Sequence, residues 1–221
     1  MALWPRRSRG RSPTNGGGTA IADPPIEACR RPCLQGLVAS ARTGGVRRVL
    51  DLGPAMPGNL SLYQTFAEHV CFADLFRTPD GSSAQSVATP GPDLLGNLLP
   101  ALSATFDLIV AWDALDHLDP AATRLLVDRL VSCSHPGTRL YATASMSPTV
   151  PARQPRFEIL DDGERVAANP RTRESRPGPM LTPAEVAKRL APFQTARAVV
   201  LTGGIREVVT VLPSEPAAVV S

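Results

Sequence analysis

Seven residues, Phe106–Trp112 (FDLIVAW), constrain the fold of this chain more than any other stretch. A nearly continuous apolar run of this kind is what a central parallel strand, buried on both faces, requires. Helical and extended segments alternate on either side of it. Val49–Leu52 reads as a strand, Asn59–Glu68 as a helix, and His69–Phe76 as a second strand. Asp93–Ala104 reads as a helix with Leu94, Leu95, Leu98, Leu99 and Leu102 on one face. Asp119 and Pro120 open the next helix as cap and first residue, with Leu125, Leu126, Leu130 and Val131 as its buried face. A turn at Ser134–Gly137 leads to a strand over Thr138–Ala144. Thr182, Pro183 and Glu185 then form a capping box for a helix ending at Leu190. Last come ARAVVLT and IREVVTVL, two strands joined through Gly203-Gly204, a strong hairpin signal. The alternation predicts an α/β fold: one doubly wound, Rossmann-like, mostly parallel sheet with a C-terminal antiparallel hairpin. Ahead of the first strand, Pro24–Arg42 has apolar residues at helical spacing, interrupted by Pro32.

The first strand carries the pocket signal. Arg47–Asn59, RRVLDLGPAMPGN, is a short buried strand that ends in Asp51 and enters a loop of small and turn-forming residues. Asn59 is placed to cap the helix that follows. Strand, tight loop and helix start make a nucleotide-type pocket, in which a ligand approaches the backbone closely. A carboxylate at that strand tip repels a pyrophosphate and suits a cationic or hydroxyl-bearing ligand.

Charge and cysteine usage exclude other classes. The formal charge of +3 comes from the first twenty residues, which hold Arg6, Arg7, Arg9 and Arg11 and no acid. Without those four, 19 bases face 20 acids, a charge of −1, so no basic face for nucleic acid is expected. Residues 1–22 read as a disordered leader, 23–213 as a single domain, and 214–221 as a flexible tail. No apolar run is long enough to span a bilayer, and no secretory signal follows the early arginines. Cys29, Cys33, Cys71 and Cys133 include no CxxC pair and read as reduced thiols in a cytoplasmic protein. Lys188 is the only lysine, a codon bias that fits a GC-rich bacterial genome.

Asp51 and Gly53 resemble the first motif of class I S-adenosylmethionine-dependent methyltransferases, in which an acid stands two residues before the first of three alternating glycines. Here Ala55 replaces the second glycine and Pro57 the third, with Gly58 one step late. FDLIVAWDALDHLDP resembles the fourth-strand motif of the same class more closely, and Pro136-Gly137-Thr138 keeps two residues of its Pro-Gly-Gly turn. The resemblance spans Ile26 to Pro213. It implies S-adenosylmethionine as cofactor, bound by Asp51, Gly53, Pro54, Ala55, Gly58, Asp74, Trp112 and Asp113. Asp74 follows Asp51 by 23 positions, where such folds place an acid that accepts hydrogen bonds from ribose hydroxyls; Asp80 is the alternative. A third strand is expected between Arg77 and Pro92, with Ser86–Ala88 as its candidate. The segment 146–180, rich in Pro and Arg, is expected as an insert near the acceptor site, with a hairpin around Asp162-Gly163.

Methyl transfer from a sulfonium is an in-line displacement in which the protein mainly aligns the acceptor and keeps water out. His117 and Asp113 are the catalytic candidates, His117 as a general base at the mouth of the fourth strand. His69 and His135 sit at element edges and read as structural. Asp107, Asp113, Asp116 and Asp119 face different ways, so no metal is expected. The expected partner is a small-molecule methyl acceptor. The rival readings are a degenerate methyltransferase-fold interaction module and, more remotely, a nicotinamide oxidoreductase, which would want glycine at Ala55 and Pro57.

Overall fold

The computed structural model describes residues 28–76, 105–170 and 172–214. In chain order the first half contains β1 (Ala28–Arg30), α1 (Pro32–Thr43), β2 (Arg48–Asp51), α2 (Pro57–Tyr63) and β3 (His69–Phe72). After it come β4 (Phe106–Val110), α3 (Ala114–His117), α4 (Pro120–Ser132) and β5 (Ser134–Ser145). The last part has β6 (Thr149–Pro151), β7 (Arg156–Leu160), β8 (Arg165–Asn169), β9 (Ser175–Pro177), α5 (Pro183–Leu190), β10 (Gln194–Leu201) and β11 (Ile205–Val211).

Six strands form the main sheet in the order β3-β2-β4-β5-β11-β10. β3, β2, β4 and β5 run parallel, and β11 and β10 close the sheet antiparallel. The order reverses between β2 and β4, a topological switch point, and doubly wound sheets open their binding crevice outside the strand ends at such a point. β4 sits at the centre because both its faces are apolar. Leu108 and Val110 pack to one side, Ile109 and Ala111 to the other, all nearly solvent-free. One face is covered by α4 and α5 through Leu126, Leu130, Val186 and Leu190. The other is covered by α1, α2 and the β7–β8 hairpin through Leu34, Val38, Leu62, Tyr63, Phe157 and Ile159. β1 pairs with β8 to extend that hairpin into a three-stranded sheet, and β6 pairs with β9. No described helix is long and apolar enough to cross a membrane.

Several local expectations are corrected. Over Pro24–Arg42 the helix starts only at Pro32, the first position of α1, and Ala28–Arg30 form β1 instead of helix, since proline's fixed φ suits a helix start. Asn59 does not cap α2, which starts two residues earlier at Pro57 with Met56 in the cap position. Leu125 is 41 % exposed, and Ala122, Thr123 and Val127 take its place on the buried face of α4. The turn at Ser134–Gly137 lies inside β5 as an irregularity opposite Phe106 and Leu108, with Gly137 at φ 93° and the His135 N–H donating to Thr138 Oγ1. The capping box at Thr182 and Glu185 forms as read, as do the β7–β8 and β10–β11 hairpins. The Ser86–Ala88 strand, the Asp93–Ala104 helix, Asp80 and the leader lie outside the described residues.

Candidate functional site

The pairing register fixes where the predicted residues meet. Asp51 lies level with Phe72 of β3 and Val110 of β4. Just beyond the strand ends, the Ala73 N–H donates to Asp51 O, and the Asp74 N–H donates to Gly53 O at 3.1 Å. Asp51, Gly53, Asp74, Trp112 and Asp113 therefore gather at three adjacent parallel strand tips. Pro54 and Ala55 lie in the loop between β2 and α2, and Gly58 in the first turn of α2. Asp74 and Trp112 both have positive φ, 37° and 48°, a conformation in which non-glycine residues are uncommon and whose strain tends to cluster at functional sites.

The two acids at these tips have different surroundings. Asp51 is fully buried. Its Oδ1 accepts from the Gly53 N–H at 2.8 Å and from Trp112 Nε1 at 2.6 Å. Its Oδ2 accepts from the Tyr63 hydroxyl at 2.9 Å and from Asn59 Nδ2 at 3.3 Å. Burial pushes the Asp51 carboxyl up to about 6, and these four donors hold it from rising further. Burial, then the charge of Asp51, raises the Tyr63 hydroxyl well above its ordinary range and keeps it a donor. Asp74, by contrast, has a buried Oδ1 with no hydrogen-bond partner among the described residues.

Sequence reasoning missed the groups that close over this loop. Phe157 of β7 stacks on the Trp112 indole, ring centroids 5.0 Å apart and planes within 12°. Asn59 clamps β7 from below: its Nδ2 donates to Phe157 O at 3.0 Å and its Oδ1 accepts from the Ile159 N–H at 2.7 Å. The Gly58 N–H donates to Glu158 Oε1 at 3.0 Å. A Cβ on Gly58 would lie 2.5 Å from Ile159 O, so the late glycine serves this close approach of β7. Trp112 is 2 % exposed and meets Tyr141 edge-on. The Tyr141 hydroxyl donates to the fully buried Glu207, which also accepts from the Cys33 N–H. The one available signal for Glu207 was an acid inside the apolar run IREVVTVL.

His117 and Asp113 are brought together just past β4, both buried. His117 Nε2 lies 3.3 Å from Asp113 Oδ2, and Gln154 Nε2 donates to Asp113 Oδ1 at 2.7 Å. His117 Nδ1 lies 3.4 Å from Arg176 Nη2. Guanidinium can only donate, so Nδ1 is the acceptor and Nε2–H donates to Asp113. The same Arg176 nitrogen donates to Asp116 O. Burial first, then the charge of Asp113, pushes the Asp116 carboxyl up to about 7, against the Ser145 N–H, His117 and Arg176. Asp107 and Asp119 are elsewhere. Asp107 accepts from the Arg47 and Arg48 N–H groups and pairs with His135, and Asp119 caps α4. No described group of His, Cys, Asp and Glu is arranged to hold a metal. All four cysteines are free; Cys33 and Cys133 are buried, Cys29 and Cys71 half-buried.

No family model matches the chain, and no curated protein matches it by sequence. Solved structures do. An S-adenosylmethionine-dependent methyltransferase from Clostridium acetobutylicum aligns over 84% of this chain and 93% of its own, at 9% identity and a TM-score of 0.53. The glycopeptide N-methyltransferase MtfA in complex with S-adenosylhomocysteine aligns over 81% and 88%, at 20% identity and a TM-score of 0.49. The Burkholderia thailandensis 1,6-didemethyltoxoflavin-N1-methyltransferase aligns over 83% and 78%, at 18% identity and a TM-score of 0.47. With the strand order and the closing antiparallel hairpin, the likeness to the Clostridium acetobutylicum enzyme identifies the fold of this chain as that of the class I S-adenosylmethionine-dependent methyltransferases.

Proposed function

We propose that this protein is an S-adenosylmethionine-dependent methyltransferase acting on a small-molecule acceptor, with its cofactor lying across the tips of β2, β3 and β4. The observation that carries the reading is Asp74. It stands beside Gly53 just past β3 and holds a buried carboxylate oxygen that no described residue satisfies. A buried acceptor left unpaired is costly unless a ligand supplies the donor, and ribose hydroxyls are donors of that kind. The ribose end of the site thus fits the cofactor. At the opposite end the Trp112 indole packs against Gly53, where a Cβ would lie 3.1 Å from the indole nitrogen.

When bound, S-adenosylmethionine supplies a methyl group on a sulfonium. The residues of this chain would do the rest. Asp74 would hold the ribose, and the Asp51 carboxylate would fix the Gly53 loop and offer negative charge near the methionyl ammonium. The β7–β8 hairpin would exclude water. His117 would orient through Asp113, and it can take a proton at Nδ1 only after Arg176 leaves that nitrogen.

The competing reading is a methyltransferase fold that no longer binds cofactor and serves as an interaction module; the packing of Trp112 against Gly53 is what favours it. Calorimetry of the full chain with S-adenosylhomocysteine up to millimolar separates the two. Binding that weakens at least tenfold in Asp74→Ala supports the enzyme. Absence of heat at any concentration supports the module.

A further inference from the structure

The Trp112 end of the hollow is held by a distinct device. Phe157 lies flat on Trp112, and Trp112 in turn donates to Asp51. The strand that carries Phe157 is fastened to the start of α2 by three hydrogen bonds. These run from Asn59 to Phe157 O, from the Ile159 N–H to Asn59, and from the Gly58 N–H to Glu158. Two of them end on Asn59 and one on Gly58, both in the first turn of α2, and Gly58 is among the residues expected to meet the cofactor. The Phe157 ring covers one face of the indole, and the bonds to Asn59 and Gly58 hold the β7 backbone that positions this ring.

We propose that the Arg156–Glu158 end of the β7–β8 hairpin is a latch that keeps Trp112 in the methionine end of the cofactor hollow, so that cofactor binding requires the latch to peel from α2 and the indole to swing out. The inference rests on the methyltransferase reading above. A latched ground state lowers the apparent affinity by the fraction of molecules that are open. It also couples the insert, on the acceptor side, to cofactor binding: an acceptor that draws the hairpin away from α2 strengthens cofactor binding without touching the cofactor.

The test uses the full chain carrying Trp4→Phe, which leaves Trp112 as the only tryptophan. Stopped-flow mixing with S-adenosylhomocysteine is followed by tryptophan emission, and affinity is measured by calorimetry. The expected result is a red shift of Trp112 emission whose rate levels off with ligand concentration, and a plateau that rises in the variants that open more readily. Phe157→Ala and Glu158→Ala are expected to bind roughly tenfold and severalfold more tightly, with faster association, as the open fraction rises. Glu158 is half-buried, so its variant carries the test should Phe157→Ala fail to fold. Equal affinity in all three proteins with unmoved Trp112 emission overturns the latch and leaves the methyltransferase reading standing. Folded wild type and variants that all fail to bind at millimolar ligand overturn both.

Discussion

Asp51 and Asp74 stand at the tips of neighbouring parallel strands, tied together through Ala73 and Gly53, yet their surroundings differ. Asp51 has a donor for each use of its two oxygens, and all four donors belong to the protein. Asp74 keeps an oxygen that is buried and, among the described residues, unanswered. A saturated carboxylate stabilises whatever it holds, here Trp112, Tyr63, Asn59 and the turn of the loop. An unsatisfied one costs free energy until something else supplies the donor. Position at a strand tip alone does not set what an acid does; on the reading proposed above, the count of internal donors is what tells the two apart.

The largest expected effect that tests this contrast is on Trp112. Trp112→Ala removes a fully buried indole packed on Phe157 and Tyr141 and deprives Asp51 of its shortest hydrogen bond. Large-to-small changes of this type cost about 3–5 kcal/mol. Urea unfolding followed by circular dichroism measures it. A loss under about 1 kcal/mol would mean that the indole is not an architectural partner of Asp51.

Next in size is the pH dependence that Asp51 imposes. Its folded value of about 6 lies above the ordinary carboxylate value of 3.8. The native state therefore holds the proton more tightly than the unfolded chain. The associated stability is fully present below about pH 4 and is lost as pH rises through about 6. The shift corresponds to a few kcal/mol, on the order of 3. Asp116, pushed to about 7 in the same direction, extends the decline. Asp51→Asn keeps the shape and cannot ionise, so its unfolding free energy is expected to fall less steeply between pH 4 and 6 than that of the wild type. Identical slopes in a pH series of urea midpoints would assign the whole dependence to other groups.

Tyr63→Phe is smaller. It deletes the hydroxyl that donates to Asp51 Oδ2 and leaves that oxygen with Asn59 alone at 3.3 Å. Hydrogen bonds to charged groups contribute about 1.5–3 kcal/mol. Because fewer donors then favour the ionised form, the midpoint of the pH-dependent loss is expected to move upward.

The frame of this arrangement was legible in the sequence, and its closure was not. β4 announced itself because a strand buried on both faces has no polar alternation to confuse it. Gly203-Gly204 marked the β10–β11 turn because both residues adopt positive φ, 90° and 72°. The tips of β2, β3 and β4 followed from acids at the ends of apolar runs. Asn59 was misread because an amide that caps a helix and an amide that clamps a distant strand look the same in one dimension. Its partners Phe157 and Ile159 are 98 and 100 positions away. No local periodicity encodes a contact of that range. Gly58 looked like a displaced motif glycine, and only the approach of Ile159 O reveals its packing role.

The smallest expected change in stability is at Asp74, and it bears most directly on the contrast between the two tips. Asp74→Asn replaces an acceptor that makes no internal bond, so unfolding free energy is expected to stay within about 0.5 kcal/mol of wild type. Affinity for S-adenosylhomocysteine is expected to fall by about tenfold or more. Two vicinal hydroxyls need two acceptor oxygens, and the amide offers one oxygen and a donor group. The pair of measurements matters more than either alone. Stability unchanged with affinity lost places Asp74 with the ligand. Stability lost to the extent seen in Tyr63→Phe would make Asp74 an architectural acid like Asp51, and the unanswered oxygen would no longer point to a ribose.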